Sequence, residues 1–384
     1  MSFADELAAL NEWHFFREFT YSRTTFQPAP GQEVELADNL IWLGDLLFAY
    51  QLKEREAGHD ANAETEKRWF ERKVLRQATR QVRDTLKYLK ANRTIAVRNH
   101  RQHTFDLSVG TVRELHKLVV YLPHDALPEE YRRVKHHRSR TAGVIHILPA
   151  HDYLGIVRTL LTPAEVAEYL AFREELITRW EAEVLTVPEP ALVGQYLCGD
   201  VEVPPAMKFL EYLEHLDHRA EEWDMSGVIA QFPDRVTTDN EPTDYYPIVR
   251  ELALLKRNDL REFKKRFQLC VEKARADEFT RPYRIAIPRT GCGFVFIPVT
   301  KEFLEHRQTG LKNLTLAQKH DQKLTKCIGV SIANDKDGWF TAEWCYVEFP
   351  WEEDPEMDKL LKDNSPFREA KLSELQRYTY REPK

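Results

Sequence analysis

The dipeptide Gly44-Asp45 stands between two apolar, β-prone runs, Asn39–Leu43 and Leu46–Leu52. A two-residue Gly-X connection suits a type II′ turn, because glycine accepts the positive φ that the first central position requires. With this turn at the tip, a hairpin pairs residues whose numbers sum to 89, so Asp38 faces Gln51. A slip of one residue would send every side chain to the other face, so the turn fixes which residues meet.

The same register brings three polar side chains to one face of the hairpin. Asp38 opposes Gln51, and Lys53 follows two residues later on the same strand; such positions share a face. Carboxylate and amide oxygens suit Mg²⁺, which takes few protein ligands and keeps several waters. A lysine beside them could orient a metal-bound water or stabilise charge on a phosphate. The alternative interpretation is a set of solvated polar residues where a strand leaves the core.

This segment resembles the core of a PD-(D/E)xK nuclease, in the variant where glutamine replaces the glutamate of ExK, as in Mrr-like restriction enzymes. Ala37-Asp38 stands where the family has Pro-Asp, and Gln51-Leu52-Lys53 stands where it has (D/E)xK. The resemblance covers residues 1–125 or so. It implies a core of helix, three strands, helix and strand, and Mg²⁺ or Mn²⁺ as the cofactor. The implied fold class is α+β or α/β, a restriction-endonuclease-like mixed sheet flanked by helices and followed by a second α+β domain.

The glutamine variant has one carboxylate fewer than the ExK form, so the resemblance implies a further acid. Families of this kind often supply it from the first helix, and Glu6 on the predicted helix Phe3–Leu10 is the first candidate. Glu12, Glu18 and Glu35 remain open, and Glu35 ranks lower because regular alternation turns it away from Asp38. The implied catalytic residues are Asp38, Gln51, Lys53 and Glu6, and the implied metal ligands are Asp38, Gln51 and Glu6.

Charge is distributed unevenly along the chain. The formal net charge is −7, yet Lys67–Arg140 holds 19 Lys and Arg against 7 Asp and Glu, a local excess of +12. A basic tract beside a phosphodiesterase site is what nucleic-acid binding needs, because phosphate contacts supply most of the non-specific affinity. The alternative is an ordinary solvated surface.

Two segments carry this excess. The segment Glu66–Lys90 has no Gly or Pro and places apolar residues at three- and four-residue intervals, which predicts a helix. The run Arg132–Arg140 (RRVKHHRSR) is predicted to be an exposed loop. The predicted nucleic-acid contacts are Lys73, Arg76, Gln77, Arg80 and Gln81 on the helix, and Arg132, Arg133, Lys135, Arg138 and Arg140 in the run.

A length of 384 residues predicts about two domains. Pro188 and Pro190 break a helical pattern, so we predict a nuclease-like domain over 1–190 and an accessory α+β domain over 191–384, helical first and β-rich at its end. The five cysteines lack zinc-site spacing, which favours free thiols. No apolar stretch approaches the ~18 residues of a membrane helix, and the first residues lack a signal-peptide pattern, so a cytoplasmic location without membrane association is expected.

Three functions remain open at this level. The first is a metal-dependent nuclease, favoured as a DNA endonuclease in bacterial defence or restriction; DNA is preferred to RNA through the resemblance alone. The second is a catalytically degenerate nucleic-acid-binding or assembly subunit of a multi-protein defence complex. The third is a subunit whose C-terminal domain docks a separate protein such as an ATPase or sensor, since the chain outside Lys67–Arg140 carries −19. No GxxxxGK[ST] motif occurs, which argues against ATP hydrolysis by that mechanism.

Overall fold

Two compact units make up the chain, the first ending at residue 217 and the second beginning at 218. The structure, a computed structural model, describes residues 3–29, 31–55, 61–214, 216, 220–236, 241–335 and 339–369. The predicted boundary at 190 lies inside the first unit, because Glu189 is buried there in ion pairs with Arg173 and Lys135. Each unit is a mixture of helices and strands around its own sheet, so the predicted α+β character is confirmed at this level.

A six-stranded mixed sheet forms the centre of the first unit. Its order is β1-β2-β3-β6-β8-β7, with β3, β6 and β8 parallel and the other neighbours antiparallel. Strands β4 and β5 form a separate antiparallel hairpin. The strands are β1 Thr20–Ala29, β2 Gln32–Leu43, β3 Leu46–Lys53, β4 Ile95–Arg98, β5 Thr104–Leu107, β6 Glu114–Tyr121, β7 His136–Ser139 and β8 Gly143–Pro149.

Helices cover both faces of this sheet. On one face, Phe70 and Val74 are buried in a cluster with the strand residues Leu40 and Val119. On the other face, the aromatic rings of Phe15 and Tyr153 contact those of Phe48 and Tyr50 on β3. The helices of this unit are α1 Phe3–Phe15, α2 Ala63–Trp69, α3 Thr79–Ala91, α4 Glu129–Arg132, α5 Ala150–Leu160, α6 Pro163–Arg179, α7 Glu181–Val184, α8 Glu189–Cys198 and α9 Glu211–Glu214.

The hairpin at Gly44-Asp45 has the predicted turn and register. Gly44 takes a φ of 64°, the left-handed value that the first central position of a II′ turn needs. The β2–β3 ladder runs from Leu43↔Leu46 to Asn39↔Tyr50, and every pair in it sums to 89. The indole N–H of Trp42 also donates to the carbonyl oxygen of Gly44 at 2.7 Å, which closes the turn.

The predicted basic helix is present and is continuous from Ala63 to Ala91; we call it the long helix. It has a π-helical segment, Phe70–Ala78, between α2 and α3. Its buried positions include Phe70, Val74, Ala78 and Val82, each four residues from the next. A π-helix bonds i to i+5 and so has a wider turn than the 3.6 residues of an α-helix. Residues four apart therefore lie closer to a line parallel to the helix axis. This spacing keeps the four buried residues against the sheet.

The second unit contains a four-stranded sheet of order β12-β11-β10-β9, in which β10 and β11 are parallel. Its strands are β9 Tyr283–Ile287, β10 Cys292–Val299, β11 Lys326–Asn334 and β12 Phe340–Glu348. Its helices are α10 Ser226–Ile229, α11 Phe232–Arg235, α12 Tyr246–Ala253, α13 Arg257–Arg275, α14 Arg307–Asp321 and α15 Pro355–Asp363. All five cysteines are free thiols, as predicted. Throughout the described parts of both units, no helix has the length and apolar character needed to cross a membrane.

Candidate active site

Asp38 lies where the two strands of the hairpin stop pairing. The β2–β3 ladder ends at Asn39↔Tyr50, one pair short of the extrapolated pairing of Asp38 with Gln51. The Asp38 carboxylate instead accepts a hydrogen bond from the backbone N–H of Leu52, at 2.6 Å. The side chain thus replaces the next ladder bond and is held at the open end of the hairpin.

Lys53 approaches the same carboxylate. Its Nζ lies 3.6 Å from Oδ2 of Asp38, and the two side chains are 12% and 22% exposed. Burial, together with the charge of Lys73, holds the pKa of Lys53 below its ordinary value, and the carboxylates of Asp38 and Glu35 only partly oppose this. The structure therefore brings Asp38 and Lys53 together as a partly desolvated pair of opposite charges.

A cavity of about 830 Å³ opens beside this pair. Its walls come from α1, from β1 and β2, from the end of β3, and from the β4–β5 hairpin. The hairpin contributes Arg98 and His100, for which no motif or spacing in the sequence indicates a role. The acidic residues that line the cavity are Asp5, Glu12, Glu35, Asp38 and Glu54.

Glu35 shares this cavity with Asp38, although regular alternation predicts opposite faces. The reason is an irregularity in β2: Thr24 pairs with Ala37 while Thr25 pairs with Glu35, so Leu36 is an extra residue on its strand. A β-bulge of this kind shifts the alternation by one position. Its position depends on the pairing with β1, which the sequence of β2 alone does not reveal.

Glu6, the first choice for the additional acid, is exposed and lies outside the cavity lining. Asp5, Ala8 and Glu12 form the face of α1 that lines the cavity, at helical spacing. Glu12 accepts from His100 Nε2 at 2.8 Å, and its other oxygen lies 3.5 Å from Arg17. The sequence predicts that this helix ends at Leu10, before Glu12, but in the structure α1 continues to Phe15. Glu18 is buried and pairs with Arg101.

Gln51 is buried, with 3% of its surface exposed, and lies outside the lining of this cavity. Its Oε1 atom is buried without a hydrogen-bond partner among the described residues. Such an orphan oxygen costs free energy unless another donor or a cation satisfies it. Nowhere in the described ranges do three His, Cys, Asp or Glu residues converge as a metal site. One carboxylate and one unpartnered amide oxygen nevertheless fit the chemistry of Mg²⁺ or Mn²⁺, because such ions keep several waters.

A basic groove of about 510 Å³ follows the long helix. Lys73, Arg76, Gln77 and Arg80 of the predicted contacts line it, whereas Gln81 does not. The Oε1 atom of Gln81 is buried and unpartnered among the described residues. The cations of the groove are Arg72, Lys73, Arg76, Arg80 and Arg83, and the described residues that line it include no acid. Arg72 belongs to the same stripe, four residues before Arg76, so the helical spacing could have identified it.

The second basic segment is not the exposed loop that its sequence predicts. Arg132 donates to the backbone carbonyl oxygens of residues 124, 125 and 127 and so holds the preceding turn in place. Lys135 is buried and binds Glu189, and Arg138 donates to the carbonyl oxygen of Ile177 and contacts Glu181. Residues 136–139 form the edge strand β7. The prediction failed because the partners of these cations lie up to 54 residues away.

Arg133 and Arg140 are the remaining predicted contacts in this segment. Arg133 is exposed and pairs with Glu129, and Arg140 is exposed. Arg132, Lys135 and Arg138 are instead occupied by structural contacts, so this segment offers fewer free cations than predicted. The basic groove on the long helix is therefore the stronger candidate for phosphate contact.

Lys73 lines the basic groove, and its charge also contributes to lowering the pKa of Lys53. Comparisons of the chain with protein-family models, with curated proteins and with solved structures find no match.

Proposed function

We propose that the first unit is a metal-dependent nuclease that hydrolyses phosphodiester bonds, and that DNA in a bacterial defence or restriction setting is its substrate. The observation that carries this proposal is the Asp38–Lys53 pair, 3.6 Å apart beside a cavity. A carboxylate and a lysine at the end of a β-hairpin are the residues that the PD-(D/E)xK resemblance implies.

The order of elements supports the same proposal. α1 is followed by three antiparallel strands, β1 to β3, then by the long helix and then by β6, which pairs in parallel with β3. Helix, three strands, helix and strand is the core that the resemblance implies. We infer a restriction-endonuclease-like fold, with the β4–β5 hairpin as an insertion before β6.

The roles of the residues follow from their positions. Asp38 and the unpartnered Oε1 of Gln51 would hold Mg²⁺ or Mn²⁺, and Glu35 or Glu12 would supply a further carboxylate from the cavity wall. The ion supplies Lewis-acid polarisation of a phosphoryl oxygen and lowers the pKa of bound water. Lys53, held by Asp38 and by the carbonyl oxygen of Leu52, would donate to the scissile phosphate or orient the attacking water.

The basic groove would bind the phosphates that flank the cleaved bond. Four of its cations, Arg72, Lys73, Arg76 and Arg80, are exposed. No acid lines the groove among the described residues, so its five cations are suited to hold an anion. Such a surface binds nucleic acid through phosphate contacts, which do not depend on sequence.

A cleavage survey tests the proposal. The purified chain is incubated with supercoiled, linear and single-stranded DNA and with RNA, in Mg²⁺, in Mn²⁺ and in EDTA. We expect metal-dependent cleavage of at least one DNA form, and loss of that cleavage in Asp38→Ala and Lys53→Ala. Lys90→Ala, which removes an exposed cation outside both cavities, serves as the matched control and should retain activity. Equal cleavage by all four proteins would remove the catalytic assignment.

A second candidate function is a degenerate nucleic-acid-binding or assembly subunit. The observation that favours it is the absence of three converging His, Cys, Asp or Glu residues in the described part of the chain. It predicts tight, salt-dependent binding to DNA with no cleavage in any metal. In that case Arg76→Ala should weaken binding, and Asp38→Ala should leave it unchanged or strengthen it by removing a negative charge.

A further inference from the structure

The second unit contains a cavity of about 1010 Å³ that the nuclease proposal does not use. Its lining comes from α10 and α11, from α13 and from the edge strand β12. This volume is at the upper end of the range for small-molecule sites, roughly 300–1,000 Å³. The cavity is built entirely from residues of this unit, so the inference does not depend on the proposed nuclease activity.

Aromatic rings form one wall of this cavity. Trp344 is fixed, because its ring packs 4.9 Å from Phe232 and nearly parallel to Phe267, at 18°. Trp339 also lines the cavity, yet 69% of its surface is exposed. A large exposed indole beside packed aromatic rings offers a face on which a planar ligand can stack.

Charged groups of α13 face the same space. Arg275 is exposed, and its guanidinium lies 5.9 Å from the centre of the Phe340 ring. Lys264, the other cation of α13 that lines the cavity, donates to the backbone carbonyl oxygens of Glu221 and Asp224. Arg275 contacts the Phe340 ring instead, so we assign the anion to Arg275. Glu272 lies three residues earlier on the same face of the helix, and both residues line the cavity.

We propose that this cavity binds a nucleobase carrying a phosphate. The base would stack on Trp339, and the exocyclic amine of the base would donate to Glu272, as carboxylates accept from base amines. The phosphate would be held by Arg275, whose planar donors match phosphate oxygens. A planar aromatic group joined to an anion is the ligand class that combines these features.

Two sources supply this chemistry: a free nucleotide, and the 5′ end of a single strand of nucleic acid. Binding to the full chain is measured by calorimetry with two probes, AMP and a 5′-phosphorylated hexadeoxyadenylate. Equal affinity for both identifies the free nucleotide as sufficient, and tighter binding of the hexamer identifies the strand. Adenosine and inorganic phosphate, tested separately, should each bind more weakly than AMP.

The variants Trp339→Ala and Arg275→Ala test the assigned contacts. Stacking of one base contributes about 1–3 kcal/mol, so Trp339→Ala should weaken binding by roughly 5- to 150-fold. Trp339→Tyr, which keeps an aromatic face, should restore most of the affinity. Phe279→Ala removes another exposed aromatic ring that lies outside the cavity lining, and it should leave binding unchanged.

Two results would overturn the inference. One is the absence of heat with AMP and with the hexamer at millimolar concentrations, which would leave the cavity to a ligand of another class. The other is binding that Trp339→Ala and Arg275→Ala do not weaken although both variants keep the circular dichroism spectrum of the parent chain. Both measurements are made in the Arg76→Ala/Arg80→Ala background, so that hexamer bound to the basic groove of the first unit is not mistaken for hexamer bound to this cavity.

Discussion

The Nζ atom of Lys53 lies 3.6 Å from a carboxylate oxygen of Asp38, and the two residues belong to neighbouring antiparallel strands joined by a two-residue turn. The backbone N–H of Leu52 donates to the same carboxylate, so the contact depends on the register of the hairpin and not on long flexible side chains alone. A substitution that alters the turn should therefore disturb the Asp38–Lys53 contact and also lower the free energy of unfolding.

Gly44→Ala should destabilise the first unit, because Gly44 takes a φ of 64°. The left-handed conformation costs an L-residue about 1–2 kcal/mol. Gly155→Ala is the matched control: Gly155 is exposed within α5 and a Cβ there meets nothing within 4 Å. That substitution should be neutral or stabilise by ~0.5–1 kcal/mol. Urea unfolding of the two variants measures the difference, and equal effects would contradict this account of the turn.

The hairpin was predictable because its determinants are local. The turn residues and the apolar runs on either side fix the register, and the register fixes the shared face of Asp38 and Lys53. Such features depend on residues close together in the chain.

Other parts of the site depend on contacts that are distant in sequence. The extra residue Leu36 in β2 is defined by the pairing with β1, and it brings Glu35 to the cavity. Lys135 belongs to a dense basic run, yet Glu189 and the surrounding helices bury it. Helical spacing and local charge could not reveal either outcome, because both are decided by tertiary packing.

Lys135→Met should lower stability without weakening the binding of DNA. Burial opposes ionisation of Glu189, but the charges of Arg173 and Lys135 hold the pKa of this carboxyl well below its ordinary value. Removing one partner of a buried ion pair costs about 3 kcal/mol or more. Arg133→Ala, at an exposed pair in the same segment, should change stability by no more than ~0.5 kcal/mol. Weaker DNA binding by a correctly folded Lys135→Met protein would instead support the sequence-based prediction that Lys135 contacts nucleic acid.

The double variant Arg76→Ala/Arg80→Ala should weaken binding to DNA and reduce its dependence on salt. Each lost phosphate contact lowers the slope of log K against log [salt] by about 1, so the slope should fall by about 2. Lys87→Ala/Lys90→Ala removes two exposed cations of the same helix outside the groove and is the control. Fluorescence anisotropy over a salt series measures both slopes, and identical slopes would exclude the groove as the binding surface.

The free energy of unfolding should fall as the pH is lowered from 6.5 to 3, and His14 should account for part of this fall. Burial lowers the pKa of His14 to about 3, so in this range the unfolded chain takes up a proton that the folded chain does not. Stability therefore rises with pH across this window. Between pH 7.5 and pH 4.5 the loss is on the order of 2–3 kcal/mol. His14→Gln should remove this component in urea titrations at the two pH values; an unchanged pH dependence would contradict it.

The rate of Mg²⁺-dependent DNA cleavage in Asp38→Asn, relative to the parent chain, tests the central claim most directly. This substitution keeps the size of the side chain and an oxygen that can accept from Leu52, but removes the charge that would hold the metal and pair with Lys53. Asp45→Asn, at the exposed turn of the same hairpin, is the control. We predict a loss of roughly 100-fold or more in Asp38→Asn, about 2.7 kcal/mol in activation free energy, with Asp45→Asn unchanged. Equal cleavage rates for the parent chain and Asp38→Asn would contradict the assignment.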